Sequence, residues 1–297
     1  MSIGRFLMYL ALMSALAPSA FAEVSIRSMN YPAWVERGEE RVPVAPGDRL
    51  QAGDVLQTGD SGRVWLQVRG GHVIKLGQAT RLAFGRADYR GEGEDAVFIA
   101  DFNLLQGVFR YTSGFFVLEP PARNELEFTI GTGIVEVDSA DVLVRAADDV
   151  DQLILAEGRI AIIEPGQPAV IMDEPSSRYR KARARSEGTV DRIDAATLEN
   201  LRAESELDSS LGIAKVTGLK VLVLRSLANP GRAEQEVARL QQAGYAARAR
   251  IVEIDGVAYT RVQLEGLASR AEAENLQRAL IEAGLIDDAW IDVKNHQ

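Results

Sequence analysis

The residues of this chain best equipped for chemistry are Arg225, Arg248, Arg250, Tyr259, Arg261, Gln263 and Trp290. Arg248 and Arg250 are two apart, as are Tyr259, Arg261 and Gln263, and residues two apart on a strand share a face. The chemistry such a face offers is recognition, not bond breaking. Guanidinium forks grip carboxylates and hydroxyls, Gln adds a donor and an acceptor, and Trp and Tyr present flat apolar surfaces.

Residue types that do covalent or metal chemistry are scarce. There is no cysteine, which removes disulfides, thiolate nucleophiles and thiolate metal sites together. His72 opens a strand and His296 lies at the end of the chain, and neither has a second ligand at metal spacing. Gly131-Thr132-Gly133 lacks the lysine and the long glycine spacing of a phosphate loop, so a tight β connection is expected. Asp148, Asp149 and Asp151 lack the regular spacing and distal glutamate of a calcium loop and read as a solvated turn. None of the 43 acids stands in a recognisable glycosidase motif. The sequence therefore reads as a non-enzyme that needs no cofactor and no metal.

The elements that must position the candidate residues come from an internal duplication. Leu224, Leu227, Ala233, Glu234, Leu240, Ala243 and Gly244 recur 40 residues later as Leu264, Leu267, Ala273, Glu274, Leu280, Ala283 and Gly284. Each copy reads as strand, helix, strand. Asn229-Pro230 supplies a cap and a first-turn proline, and Ala233, Val237, Leu240 and Ala243 form an apolar stripe that ends at Gly244. Ser269 with Glu272 reads as a capping box, followed by the stripe Ala273, Leu276 and Leu280 and by Gly284. Asp255-Gly256 between the two copies is a hairpin signal. The expected fold is α+β and ferredoxin-like, βαββαβ, with both helices on one face of a four-stranded antiparallel sheet.

Alternation then assigns faces. Leu222, Leu224, Ala247, Ala249, Ile251, Val262, Leu264, Ala289, Ile291 and Val293 are expected under the helices. Val221, Val223, Arg225, Arg248, Arg250, Val252, Tyr259, Arg261, Gln263, Trp290, Asp292 and Lys294 are expected on the uncovered face.

Leu222-Val223-Leu224-Arg225-Ser226-Leu227 and the stretch from Thr260 to Leu267 resemble the two strand-loop-helix signatures of the SPOR domain, roughly V-Q-L-G-S-F and Y-R-V-R-V-G-P-F. Val223 replaces the usual glutamine, Arg225 and Glu265 stand at glycine positions, and Leu227 and Leu267 replace aromatic residues. The resemblance implies a module that binds septal peptidoglycan stripped of its stem peptides. The seven candidate residues would then meet sugar faces, hydroxyls and muramic carboxylates.

Upstream, residues 1–22 read as an export signal with Arg5, a short apolar run and Ala20-Phe21-Ala22 as cleavage site, so the mature chain is expected to begin at Glu23 in the periplasm. Residues 23–173 read as an all-β domain of short alternating runs separated by turns at Pro46-Gly47-Asp48, Gly53-Asp54, Gly59-Asp60 and Gly70-Gly71. Over residues 24–172 the sequence resembles a FecR-type domain, through Pro46-Gly47-Asp48-Arg49-Leu50, Gly53-Asp54-Val55-Leu56, Thr58-Gly59, Gly62-Arg63, Gly131-Thr132 and Glu157-Gly158-Arg159-Ile160. That resemblance implies a protein-contact domain. It also raises a second reading of the whole chain, a periplasmic receptor-linked regulator or adaptor.

The β domain holds 14 basic and 24 acidic residues, net −10, whereas residues 216–297 hold 10 and 11, net −1. This acidity argues against nucleic acid, whose phosphates demand a basic surface. Residues 174–193 read as a basic linker and residues 194–211 as an amphipathic helix bridging to the SPOR-like domain at 216–297. The expected function is binding of peptidoglycan glycan strands by the C-terminal domain. The acidic β domain would serve as scaffold or as contact for an envelope or division protein.

Overall fold

The computed structural model describes residues 24–68, 71–90, 97–114 and 123–293. The expected signal segment and Lys294 lie outside the described residues.

The N-terminal region is all β, as its alternation requires. Strands β1 (Val24–Asn30), β2 (Ala33–Arg37), β3 (Glu40–Pro43), β4 (Arg49–Leu50), β5 (Val55–Thr58), β6 (Arg63–Val68) and β7 (Val73–Leu76) are short and joined by tight turns. Longer strands follow: β8 (Arg81–Arg90), β9 (Val97–Thr112), β10 (Arg123–Ile130), β11 (Gly133–Ala146) and β12 (Val150–Ile163). In β6 the odd positions face outward while Val64, Leu66 and Val68 are fully buried, and Ile74 and Leu76 repeat the pattern on β7. Phe109 and Phe128 meet edge to face at a centroid distance of 5.2 Å. The turn residues act by hydrogen bonding. Asp48 Oδ2 accepts from the Ala45 amide at 2.7 Å, and Asp54 accepts from the Gln51 amide at 2.8 Å while its carboxylate takes a two-point grip from Arg37.

Residues 174–193, expected as a linker, are instead part of the sheet. After β13 (Val170–Met172), β14 (Ser177–Ala182) pairs antiparallel with β12 and β15 (Thr189–Arg192) pairs with β14. The basic residues had suggested a solvated stretch, but five of the six have carboxylate partners. Lys181 is buried against Glu164 at 2.5 Å, Arg178 forms a two-point bond to Asp191, and Arg183 pairs with Asp151. Helix α1 (Ala195–Ala203) is capped by Asp194 and ends eight residues earlier than expected. Its buried Leu198 packs with Leu143, Ile154 and Ala156 of the β region, and a single 3-10 turn follows at Ser209–Leu211.

The C-terminal region comprises β16 (Ala214–Lys215), β17 (Lys220–Leu227), α2 (Pro230–Gln242), β18 (Arg248–Ile254), β19 (Val257–Leu267), α3 (Arg270–Glu282) and β20 (Trp290–Val293). The last four strands lie in the order β20–β17–β19–β18, antiparallel throughout. Ala233, Leu240, Ala273, Leu276 and Leu280 of the two helices pack with Leu222, Leu224, Val262 and Leu264 of the sheet. Burying each such leucine contributes about 1.5–3 kcal/mol. The caps form where expected: Asn229 Oδ1 accepts from the Arg232 amide at 3.2 Å, and Ser269 Oγ accepts from the Glu272 amide at 3.2 Å. The Glu272 carboxylate accepts from the Ile213 amide at 2.7 Å, which ties the incoming chain to the start of α3. Asp255 and Gly256 both have positive φ, as the tight hairpin between β18 and β19 demands.

The two regions share one apolar core. Tyr31 and Ala33 of the β region pack with Leu240, Tyr245 and Ala247, and the rings of Tyr31 and Tyr245 stack at 5.5 Å. Burial pushes both tyrosine hydroxyls up in pKa. Gly244 ends α2 with φ +86° and sits so close to Trp34 and Pro32 that a Cβ would lie within 2.6 Å of both. The connecting segment is pinned as well. Buried Asn30 donates to the carbonyls of Asp208 and Gly212, both at 2.9 Å, and accepts from the Asp208 amide at 2.8 Å. Glu206 pairs with Lys75 at 2.6 Å and with Arg110 at 3.1 Å.

Candidate functional site

The sheet face opposite α2 and α3 carries six of the seven candidate residues, and its layout follows from register. On the outer pair of strands Arg248 stands opposite Gln263, Arg250 opposite Arg261, and Val252 opposite Tyr259. On the other side Val223 stands opposite Trp290 and Val221 opposite Asp292. Ile254 and Val257 extend the same face at the hairpin tip, where they are exposed.

The central feature is an ion pair across β17. Arg261 Nη1 on β19 donates to Asp292 Oδ2 on β20 at 2.8 Å, and the guanidinium carbon lies 5.8 Å from the centre of the Trp290 ring. Trp290 is 42% exposed, so its indole is open to solvent. Arg250 and Arg261 are directly opposed like charges, an unfavourable arrangement that Asp292 relieves for Arg261. Arg248 and Arg250 form no salt bridge with a described residue, so this end of the face remains cationic.

Several expectations are corrected here. Arg225 is not on this face. The register between β17 and β19 shifts between Val223 and Arg225, placing Arg225 opposite Val262, which is buried under the helices. The bulge reverses the alternation, and Arg225 pairs instead with Glu236 of α2 at 3.6 Å and Asp287 at 3.1 Å. Ser226 takes its place opposite Arg261. Ser226 Oγ and Arg261 Nε are both buried without a hydrogen-bond partner among the described residues. Residue-by-residue alternation misses Ser226, although the second-last letter of the quoted signature is a serine.

Val221, Val223 and Gln263 are buried, not open, because β17 is an inner strand crossed by the Arg261–Asp292 pair, and Gln263 Nε2 is engaged with Glu265 at 2.8 Å. Ala249 and Ile251, expected under the helices, are exposed, Ile251 at 75%. Strand β18 continues past the part of the sheet that α2 covers, and only Ala247 at its approach is buried. Val293, also expected under the helices, is exposed at the edge.

Residues 220–289 match the family model described as SPOR domain. The match does not extend to residues 24–172. No curated protein matches the chain. Two crystal structures of a candidate anti-sigma factor from Parabacteroides distasonis ATCC 8503 are similar at 11% identity. One covers 67% of this chain and 95% of its own at a TM-score of 0.37, the other 82% and 99% at 0.39. Those scores are too low to define a shared fold. Among the described residues no helix is long and apolar enough to cross a membrane, and no group of three His, Cys, Asp or Glu could hold a metal ion.

Proposed function

We propose that the chain is a non-enzymatic envelope protein that binds peptidoglycan glycan strands through the face of β18–β19–β17–β20. The single observation that carries this reading is the SPOR match over residues 220–289, whose sheet, completed by Trp290, presents a cationic and aromatic surface. The strand order and the two packed helices support the ferredoxin-like arrangement that the duplication implies. Trp290 offers a flat apolar surface for a sugar ring. Arg248, Arg250 and Arg261 offer donors to hydroxyls and to the carboxylate of muramic acid, and Tyr259 flanks them. Gln263 contributes by holding Glu265, and Arg225 is assigned no glycan contact.

In this proposal the SPOR domain's target is glycan stripped of stem peptides at division sites, and the mature chain starts at Glu23 after export to the periplasm. The β region, FecR-like in this reading, holds the C-terminal sheet through the shared core and offers its acidic surface to a protein partner. The test is co-sedimentation of the full mature chain with purified sacculi before and after amidase treatment. Binding that rises after amidase treatment and falls in Trp290→Ala is the expected result. Equal or absent binding in both preparations refutes the glycan assignment. N-terminal sequencing of protein recovered from the periplasm checks the start at Glu23.

A further inference from the structure

A second site lies at the junction of the two regions, on the helix side of the C-terminal sheet and away from the proposed glycan face. A cavity of about 640 Å³ opens there between β2, β3 and β5 of the β region and the C-terminal ends of α2 and α3. That is within the range of small-ligand sites, roughly 300–1,000 Å³. Its wall is rich in donors. The guanidinium carbon of Arg41 sits 3.9 Å above the ring of Trp34, and Arg41 Nη2 donates to Gln57 at 3.3 Å. Arg41 has no carboxylate partner among the described residues. Arg81 is paired with Glu36 at 2.7 Å, but its Nε is buried without a hydrogen-bond partner, as is Trp34 Nε1. Of the residues lining the cavity, Asp60 alone carries a carboxylate.

Two guanidinium groups stand together in a region whose net charge is −10, and of the two only Arg81 is answered by a carboxylate among the described residues. The accessible Arg41 guanidinium is best answered by an anionic, planar acceptor. The geometry is fixed in advance. Trp34 is clamped by Gly244, the Ala33 amide donates to the Gly244 carbonyl at 3.2 Å, and Arg41 sits over the indole with Nη2 on Gln57, which leaves its other N–H groups for a carboxylate. The rest of the wall is mixed: Gln57, Thr58, Ser61 and Gln106 offer polar groups, and Ala79, Ala243 and Leu285 form a small apolar part. We infer that this junction cavity binds a short carboxylate-terminated peptide with small apolar side chains, its carboxylate on Arg41 and its side chains against Ala243 and Leu285. Because both regions line the cavity, such a ligand would bridge them. This inference is independent of the glycan reading.

The experiment is calorimetric titration of the full mature chain with N-acetyl-alanyl-alanine, with its C-terminal amide, and with inorganic phosphate. The acid is expected to bind saturably below about 10 mM, and the amide at least about tenfold more weakly, a difference of about 1.4 kcal/mol. Arg41→Gln is expected to lose binding of the acid by about tenfold or more with an unchanged melting temperature, since the Arg41 side chain is exposed. Trp290→Ala is expected to bind the acid as the parent does, which separates this site from the glycan face. Absence of saturable binding, equal binding of the amide, or an unaffected Arg41→Gln overturns the inference. Phosphate binding as tightly as the acid overturns the peptide assignment.

Discussion

Arg261 and Asp292 face each other across an intervening strand, 2.8 Å apart, and their salt bridge roofs the valines of β17 while leaving Trp290 at its side open to solvent. The pair sets the cationic face in order. It neutralises one of two opposed arginines and leaves Arg250 available to an incoming acceptor.

Trp290→Ala and Arg261→Ala are each expected to weaken binding to amidase-treated sacculi by about 1–3 kcal/mol, the cost of losing an aromatic anchor or a charged hydrogen bond. Trp290→Ala should leave the melting temperature nearly unchanged, because the indole is substantially exposed. A large drop in melting temperature, or unchanged binding, would count against the role assigned to the residue.

Arg225→Ala should leave sacculus binding unaltered, since the bulge has turned the residue toward Glu236 and Asp287. Its partly exposed ion pairs are worth less than about 1 kcal/mol of stability. Binding loss comparable to that of Arg261→Ala would show that Arg225 reaches the open face after all.

Asn30→Ala should destabilise the whole chain by about 1–3 kcal/mol, because the fully buried amide answers three backbone groups of the connecting segment. The two regions should melt in one transition, monitored by calorimetry, as their common core requires. Two separate transitions in the parent chain would contradict that coupling.

Limited trypsin should cut first at Arg185, which lies exposed in the turn between β14 and β15. Arg178 and Arg180 are expected to resist, being held in a strand paired on both sides. Mass spectrometry of the first fragments checks this, and an early cut at Arg178 would argue for the linker that the sequence suggested.

The Glu236 carboxyl is held below the usual range chiefly by hydrogen bonding from Arg239, opposed by partial burial and reinforced by the charges of Arg239 and Arg225. An acid whose pKa is depressed by folding contributes stability above its unfolded pKa, about 4.3 for Glu, and that contribution is lost as pH falls. Melting temperatures recorded from neutral pH down through pH 3 should therefore fall less steeply on the acid side in Glu236→Gln than in the parent. Parallel curves would remove Glu236 from the acid response.

Local signals in the sequence determined much of the C-terminal fold. The Asn229 and Ser269 caps, the glycines that end both helices and the Asp255-Gly256 turn depend on near neighbours along the chain, the duplication repeats the helix unit 40 residues on, and all appear in the structure. Alternation likewise placed Arg248, Arg250, Tyr259, Arg261 and Trp290 on one face. What the tertiary structure alone decided is of another kind. The bulge that exchanges Arg225 for Ser226 exists because β17 must fit β19, a partner some 40 residues away, and a one-residue shift of register reverses every side chain beyond it. The basic stretch at 174–193 became a hairpin because Glu164 and Asp151 outside it and Asp191 within it answer its cations, a complementarity that composition along the chain does not display. The shared core and the donor-rich cavity at the junction depend on Trp34 and Gly244 meeting across more than 200 residues, and only packing brings such residues together.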